Sequence, residues 1–247
     1  MLRTTHGSTQ AAALVTITDG TVGVTPGGIS VPGASTYARV RADFLAAGLG
    51  RIVELSRWGS DSELVPVDLR LTRQRTDDAT TRSVARELAT DPNRPAQLSF
   101  DGGLARLRAR AADLAAATLA HEPQRVLPAL VGAGPGTTPA GDDIVVGCHA
   151  ALAVLGRMDA AFRLSEATEP LLAATTTASR HYLEAAASGR FSEHVHTLVA
   201  GFVQGHDADR MLTEARRWGA TSGVDLLTGL AATLQFELAT RRERGAA

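Results

Sequence analysis

"LVGAGPGTTPAGDDIVVG", Leu130 to Gly147, sets five glycines, two prolines, two threonines and two adjacent aspartates at the head of an apolar run. Ile144, Cys148, Ala151, Leu152 and Leu155 then recur at helical spacing, which predicts a helix starting near Asp142. At such a start several N–H groups lack an intrahelical partner and the dipole favours negative charge, so the loop is a candidate anion site. Gly134, Gly136 and Gly141 allow close approach to the main chain, and Thr137 and Thr138 offer hydroxyls. A structural reading competes, in which Gly141 and Asp142 cap the helix and Asp143 meets its dipole. One aspartate suffices for that. Two could instead hold Mg²⁺ against a phosphate, or accept the hydrogens of an amide. The pattern is neither a GxGxxG fingerprint nor a Walker A loop, so motif rules leave the ligand unnamed.

A second stretch follows the same plan. "AGDDIVVG", Ala140 to Gly147, and "SGVDLLTG", Ser222 to Gly229, share a small residue, a glycine, an aspartate, an aliphatic residue and a final glycine, and each opens an apolar helix. Either two alanine- and glycine-rich helix starts coincide, or two related starts face each other across a pocket, with Ser222, Gly223 and Asp225 as the second wall.

Around these starts the chain from about Asp77 onward is alanine- and leucine-rich. Leu104, Leu107, Ala111, Leu114, Ala115 and Leu119 mark one long amphipathic helix. Leu171 to Ala187 reads as another, stopped before Gly189, and further helices carry Val195 to Phe202, Met211 to Trp218 and Val224 to Leu238. Before residue 77 the pattern is β-like. Asp19-Gly20 predicts a hairpin, "RIVELS" (51–56) and "ELVPVDLRL" (63–71) read as strands, and Tyr37, Val40 and Phe44 as one helix. The expectation is an α+β chain: a β-rich N-terminal domain with one helix over 1–90, and an α-helical domain over 91–247 that carries the loop.

Charge and composition narrow the chemistry. The formal charge is -1, from 25 basic and 26 acidic residues without long like-sign blocks, which disfavours nucleic acid and membrane surfaces as partners. All the basic residues are arginines, so there is no lysine for a Schiff base or a phosphate loop. The lone Cys148 excludes an internal disulfide, and no signal peptide or long apolar span is visible, which predicts a cytoplasmic protein. His194 and His196 sit two apart on a predicted helix and so do not share a face, no metal cluster is expected, and His149 reads as a packed or hydrogen-bonded helix residue. Arg190, in the turn before a predicted Ser192 N-cap, could grip a carboxylate or phosphate. "TTTASR", Thr175 to Arg180, could be a polar pocket wall or a close helix contact.

Three segments, "GAGPGTTPAGDDIVVG", "TTTASRHYLEAAASGRFSEHVHTLV" and "GATSGVDLLTGL", resemble in that order the signature segments of the AllH-like family. Its named member is a subunit of the oxamate carbamoyltransferase of anaerobic allantoin degradation, a branch of purine catabolism. The resemblance covers about residues 125 to 235. It implies a heteromeric enzyme with FdrA-like (AllF) and AllG-like subunits, copies of the chain itself being a further assembly. The implied reaction converts oxalurate and phosphate to oxamate and carbamoyl phosphate. Carried onto matching positions, it implies Asp142 and Asp143 as catalytic candidates. Gly134, Gly136, Thr137, Thr138, Gly141, Arg190, Ser192, Ser222, Gly223 and Asp225 are then the candidates for binding a small anionic substrate. The alternative is a non-catalytic scaffold or regulatory subunit whose loop binds a phosphate-bearing ligand or nucleotide; the absence of a nucleophile and base set favours it.

Overall fold

The computed structural model describes residues 17–18, 25–26, 29–30, 69–75, 77–90 and 102–246. The chain divides into two compact units, Met1–Leu69 and Arg70–Ala247. In the first, β1 (Ile17–Thr18) and β2 (Ile29–Ser30) pair in parallel, with Ile17 opposite Ile29.

The expected α+β organisation with a β-rich N-terminal part does not hold, because the described structure is largely helical and its two strands are two residues long each. Parallel partners need a crossover between them and cannot be the arms of a two-residue hairpin at Asp19-Gly20. β-Branched residues signal a fit to a pleated, half-buried surface and do not by themselves make a sheet. The stretch 51–68, the helix through Tyr37, Val40 and Phe44, and Asp19-Gly20 itself lie outside the described residues. The end of "ELVPVDLRL" is described. There Arg70 forms an isolated antiparallel bridge with Arg190, and the Leu71 N–H donates to the Gly189 carbonyl at 2.9 Å.

The second unit is helical: α1 (Asp78–Thr90), α2 (Gly102–Leu119), α3 (Ala140–Leu155), α4 (Met158–Thr168), α5 (Thr177–Ala187), α6 (Glu193–Val203), α7 (Ala208–Ala215) and α8 (Ser222–Ala246). Every residue of α3 is buried, as expected of a helix that is apolar all round and so has no face for water. Its most extensive contact is with α8, which also packs on α1 and α2. The sequence explains how two central helices approach so closely. A methyl group at Gly147 would run into the Leu226 carbonyl and sit 2.8 Å from the Leu230 nitrogen. One at Gly229 would run into the Ile144 carbonyl and sit 3.0 Å from the Ile144 Cα. The two contacts are reciprocal.

The helix ends follow local chemistry. Gly156 closes α3 at φ 69°, and the Asp207 carboxylate accepts from the Arg210 N–H at 2.8 Å to start α7. Beyond Gly156, Arg157 Nη1 pairs with the buried Glu237 at 2.5 Å, and Arg241 Nε meets the same carboxylate at 3.0 Å. The run expected as one helix from Leu171 to Ala187 is divided. A 3-10 turn, Glu169–Ala174, is followed by an extended Thr175, and α5 starts only after Thr176, whose hydroxyl accepts from the Ser179 N–H at 3.1 Å. That interruption is what brings two threonines to the glycine loop.

Candidate functional site

The loop from Gly132 to Pro139 is held from both sides. Asp142, 1% exposed in the first turn of α3, accepts from the Gly132 N–H at 2.8 Å through one carboxylate oxygen and from the Thr175 hydroxyl through the other. Thr176 Oγ1 donates to the Thr137 carbonyl at 2.5 Å. Gly132, Gly134 and Gly136 all take positive φ, 76°, 117° and 99°. At Gly134 this has a packing reason as well, since a Cβ there would lie 2.8 Å from the Ala140 nitrogen. Residues 134–137 are exposed. The N–H groups of Gly134, Gly136, Thr137 and Thr138 meet no acceptor among the described residues. The start of the helix is less open than its sequence suggests. The Gly141 N–H donates to the Ala133 carbonyl at 2.9 Å, and those of Asp142 and Asp143 turn back to the Pro139 carbonyl. The free donors are those of the loop.

The second start repeats the first in three dimensions. The Gly223 N–H donates to the Trp218 carbonyl at 3.0 Å, as Gly141 does to Ala133, and the Trp218 and Ala133 N–H groups donate in turn to Ala215 and Leu130. A Cβ at Gly141 would strike the Leu130 carbonyl, and one at Gly223 the Ala215 carbonyl. The two starts lie side by side, with Thr138 Oγ1 2.7 Å from Ser222 Oγ. Gly141 and Gly223 are therefore equivalent caps, and Asp143 and Asp225 equivalent first-turn carboxylates.

Their environments differ in one respect. Asp225, fully buried, accepts from Arg108 Nε at 2.6 Å. Burial raises its carboxyl above the usual range, against the pull of that guanidinium. Asp143 has no such counter-charge. Burial holds its carboxyl well above the usual range, the Ser222 and Thr138 hydroxyls oppose this, and the charges of Asp225 and Asp142 add to it. Its Oδ2 is buried without a hydrogen bond. Burial and the neighbouring carboxylates thus favour its protonated form, which can donate a hydrogen bond.

Two histidines titrate in the opposite sense. Burial lowers both His149 and His194 to about 4. The folded value lies below the ordinary 6.5. The unfolded chain therefore binds the extra proton, so this contribution to stability is complete above that pH and is lost as pH falls toward the folded value. For His149 the loss should reach about 2 kcal/mol by pH 5. Comparing urea unfolding of the wild type with His149→Leu at pH 7 and pH 5 isolates it from the aspartates, and the variant's pH slope should be shallower by that amount.

The remaining sequence candidates are placed elsewhere. Arg190 is exposed in the turn after α5, beyond Gly189 at φ 72°, and Ser192 occupies the N-cap position of α6 without a side-chain capping bond. Thr176, at the other end of α5, is the residue that touches the loop, and an 11-residue helix is about 16 Å long. The structure does not bring Arg190 and Ser192 to the loop. It brings Thr175 and Thr176, read from the sequence as a polar pocket wall or a close helix contact, to the loop, and it sets Arg108, which the sequence reading did not select, against Asp225 at the second start. Among the described residues no group of three or more His, Cys, Asp or Glu side chains is placed to hold a metal ion, and both oxygens of Asp142 already accept from protein donors. No described helix is long and apolar enough to cross a membrane.

Residues 130–234 match the family model for oxamate carbamoyltransferase subunit AllH, a span that takes in the loop, α3 and the start of α8. Over that span the chain is similar to a family whose description names it a subunit of an oxamate carbamoyltransferase. No curated protein and no solved structure matches the chain.

Proposed function

We propose, with AllH-like membership as the premise, that this chain is a carbamoyltransferase subunit whose glycine loop holds a small anionic ureido or carbamoyl compound and phosphate. The observation that carries the reading is the pairing of two equivalent helix starts, 2.7 Å apart at Thr138 and Ser222, beside a loop with unpartnered N–H donors. Such donors suit charge that develops on a carbonyl oxygen under attack. In the reaction the resemblance implies, a phosphate oxygen bonds to the ureido carbon of oxalurate and the bond from that carbon to the oxamate nitrogen breaks. Asp143 gives its proton to the departing nitrogen, and the proton released by the attacking phosphate restores it. Thr138, Ser222 and the backbone at Gly134 and Gly136 orient the substrate, while Asp142 fixes the loop through Gly132 and Thr175. FdrA-like (AllF) and AllG-like chains are the proposed partners.

A second reading, a scaffold or regulatory subunit, is favoured by one observation: the first-turn N–H groups of Gly141, Asp142, Asp143 and Gly223 are all taken by protein carbonyls. Reconstitution with the partner subunits separates the two. Asp143→Asn, close in shape to the protonated side chain, should lower kcat for carbamoyl phosphate formation by roughly 100-fold or more. An unchanged kcat would assign the chemistry to a partner.

A further inference from the structure

We propose that a second cavity, between α3, α4, the 3-10 turn and α5, binds a small organic cation, an ammonium or guanidinium head on a short apolar body that ends in a hydrogen-bonding group. The cavity holds about 310 Å³ and is separate from the glycine loop. That is the size of a small-molecule pocket. Its inner end is His149, 2% exposed, which makes no hydrogen bond among the described residues although its ring lines the space. Its nitrogens are not among the buried polar atoms shut off without a partner, so they open on the cavity and can meet a donor or acceptor that enters it. Leu172 and Leu183 supply apolar wall.

The outer end is acidic. Glu166, Glu169 and Glu184, from three different elements, are exposed at the rim, and no ion pair engages any of them among the described residues. The neighbouring arginines are committed elsewhere, Arg163 to Asp159 at 3.2 Å and Arg180 to the Leu172 carbonyl at 3.0 Å. Phe162, 64% exposed, also lines the opening and offers an aromatic face to a cation. Three carboxylates and a ring at the opening, aliphatic walls and one neutral hydrogen-bonding group at the end select charge, body and tail in that order. His149 stays uncharged at neutral pH because burial lowers it to about 4, so it does not repel the ligand.

Isothermal titration of the whole chain with aminopentanol, its amine and hydroxyl at opposite ends, tests this against pentanediol and hydroxypentanoate as uncharged and anionic matches. Saturable one-site binding of the amine is expected, with both matches weaker by about tenfold or more. Glu166→Gln combined with Glu169→Gln, at exposed positions that leave the core untouched, should weaken the amine by about tenfold. His149→Leu should weaken it as well, and Asp143→Asn should leave it unchanged. Equal binding of the three compounds, unaltered binding in the double glutamine variant, or no binding of the amine would overturn the proposal. None of these results bears on the anion reading of the loop.

Discussion

Gly147→Ala is expected to destabilise the helical unit by about 3 kcal/mol or more, a large fraction of the stability of an ordinary domain. In an isolated helix the same change would help by about 1 kcal/mol, because alanine loses less backbone entropy than glycine. Here the added methyl meets the backbone of Leu226 and Leu230 rather than the end of a flexible side chain. Relief requires α3 and α8 to separate, which loosens the contact around Ile144, Leu227 and Leu230 that forms the centre of the core. Gly229→Ala should cost a similar amount through the Ile144 carbonyl. The double variant should cost less than the sum, since one separation relieves both clashes. Urea unfolding checks this, and a midpoint equal to the wild type for either single variant would mean that the helices do not cross at these glycines.

The second large effect is expected at the buried pair between α2 and α8. Arg108→Met should cost roughly 3–5 kcal/mol, because Asp225 is then left fully buried without its counter-charge. Arg108→Met together with Asp225→Leu should recover most of that loss, since removing both charges also removes the desolvation they suffer. The four proteins form a double-mutant cycle, and its coupling energy is the quantity to measure. Additive losses would show that the two side chains do not interact in solution. The same pair has a role at the site, for it fixes the first turn of α8 beside Thr138 and leaves Asp143 as the carboxyl without a counter-charge.

Much of this could be read from periodicity. The apolar run after Asp143 and the repeat of its opening at Ser222 announced two central helices, and the shared glycines at 147 and 229 became their crossing point. Among the described residues the expected β-rich N-terminal part does not hold, since alternation is a property of five or six residues while a sheet depends on partners far along the chain. Arg108 was legible in principle. It stands four residues after Leu104 and three before Ala111, on the apolar stripe of α2, where a charged residue implies a buried partner. Its partner, Asp225, is more than a hundred residues away, so no local pattern could supply it. Thr175 was read within "TTTASR" as a polar pocket wall or a close helix contact, but its place outside the helix was hidden for another reason. The helix-favouring alanines around it suggested continuous helix, and the Asp142 carboxylate that draws it out of the helix lies on α3. Arg190 was selected from its turn before the Ser192 N-cap, a local pattern that carries no information on its distance from the loop.

The claim on which the account rests is that the loop from Gly134 to Thr138 receives a small anion. The most direct measurement is thermal unfolding of the chain with phosphate, carbamoyl phosphate, oxamate and oxalurate, alone and with partner subunits, beside Gly136→Ala. Gly136 has open space for a methyl group but a φ of 99° that alanine resists, so the variant alters the loop while sparing the core. At a ligand concentration ten times Kd, binding to the folded state should add about 1.4 kcal/mol and raise the midpoint by about 3–6 °C. The account predicts that carbamoyl phosphate or oxalurate produces this shift and that Gly136→Ala loses it. No shift with any of the four anions, in the presence of the partners as well as alone, would contradict it.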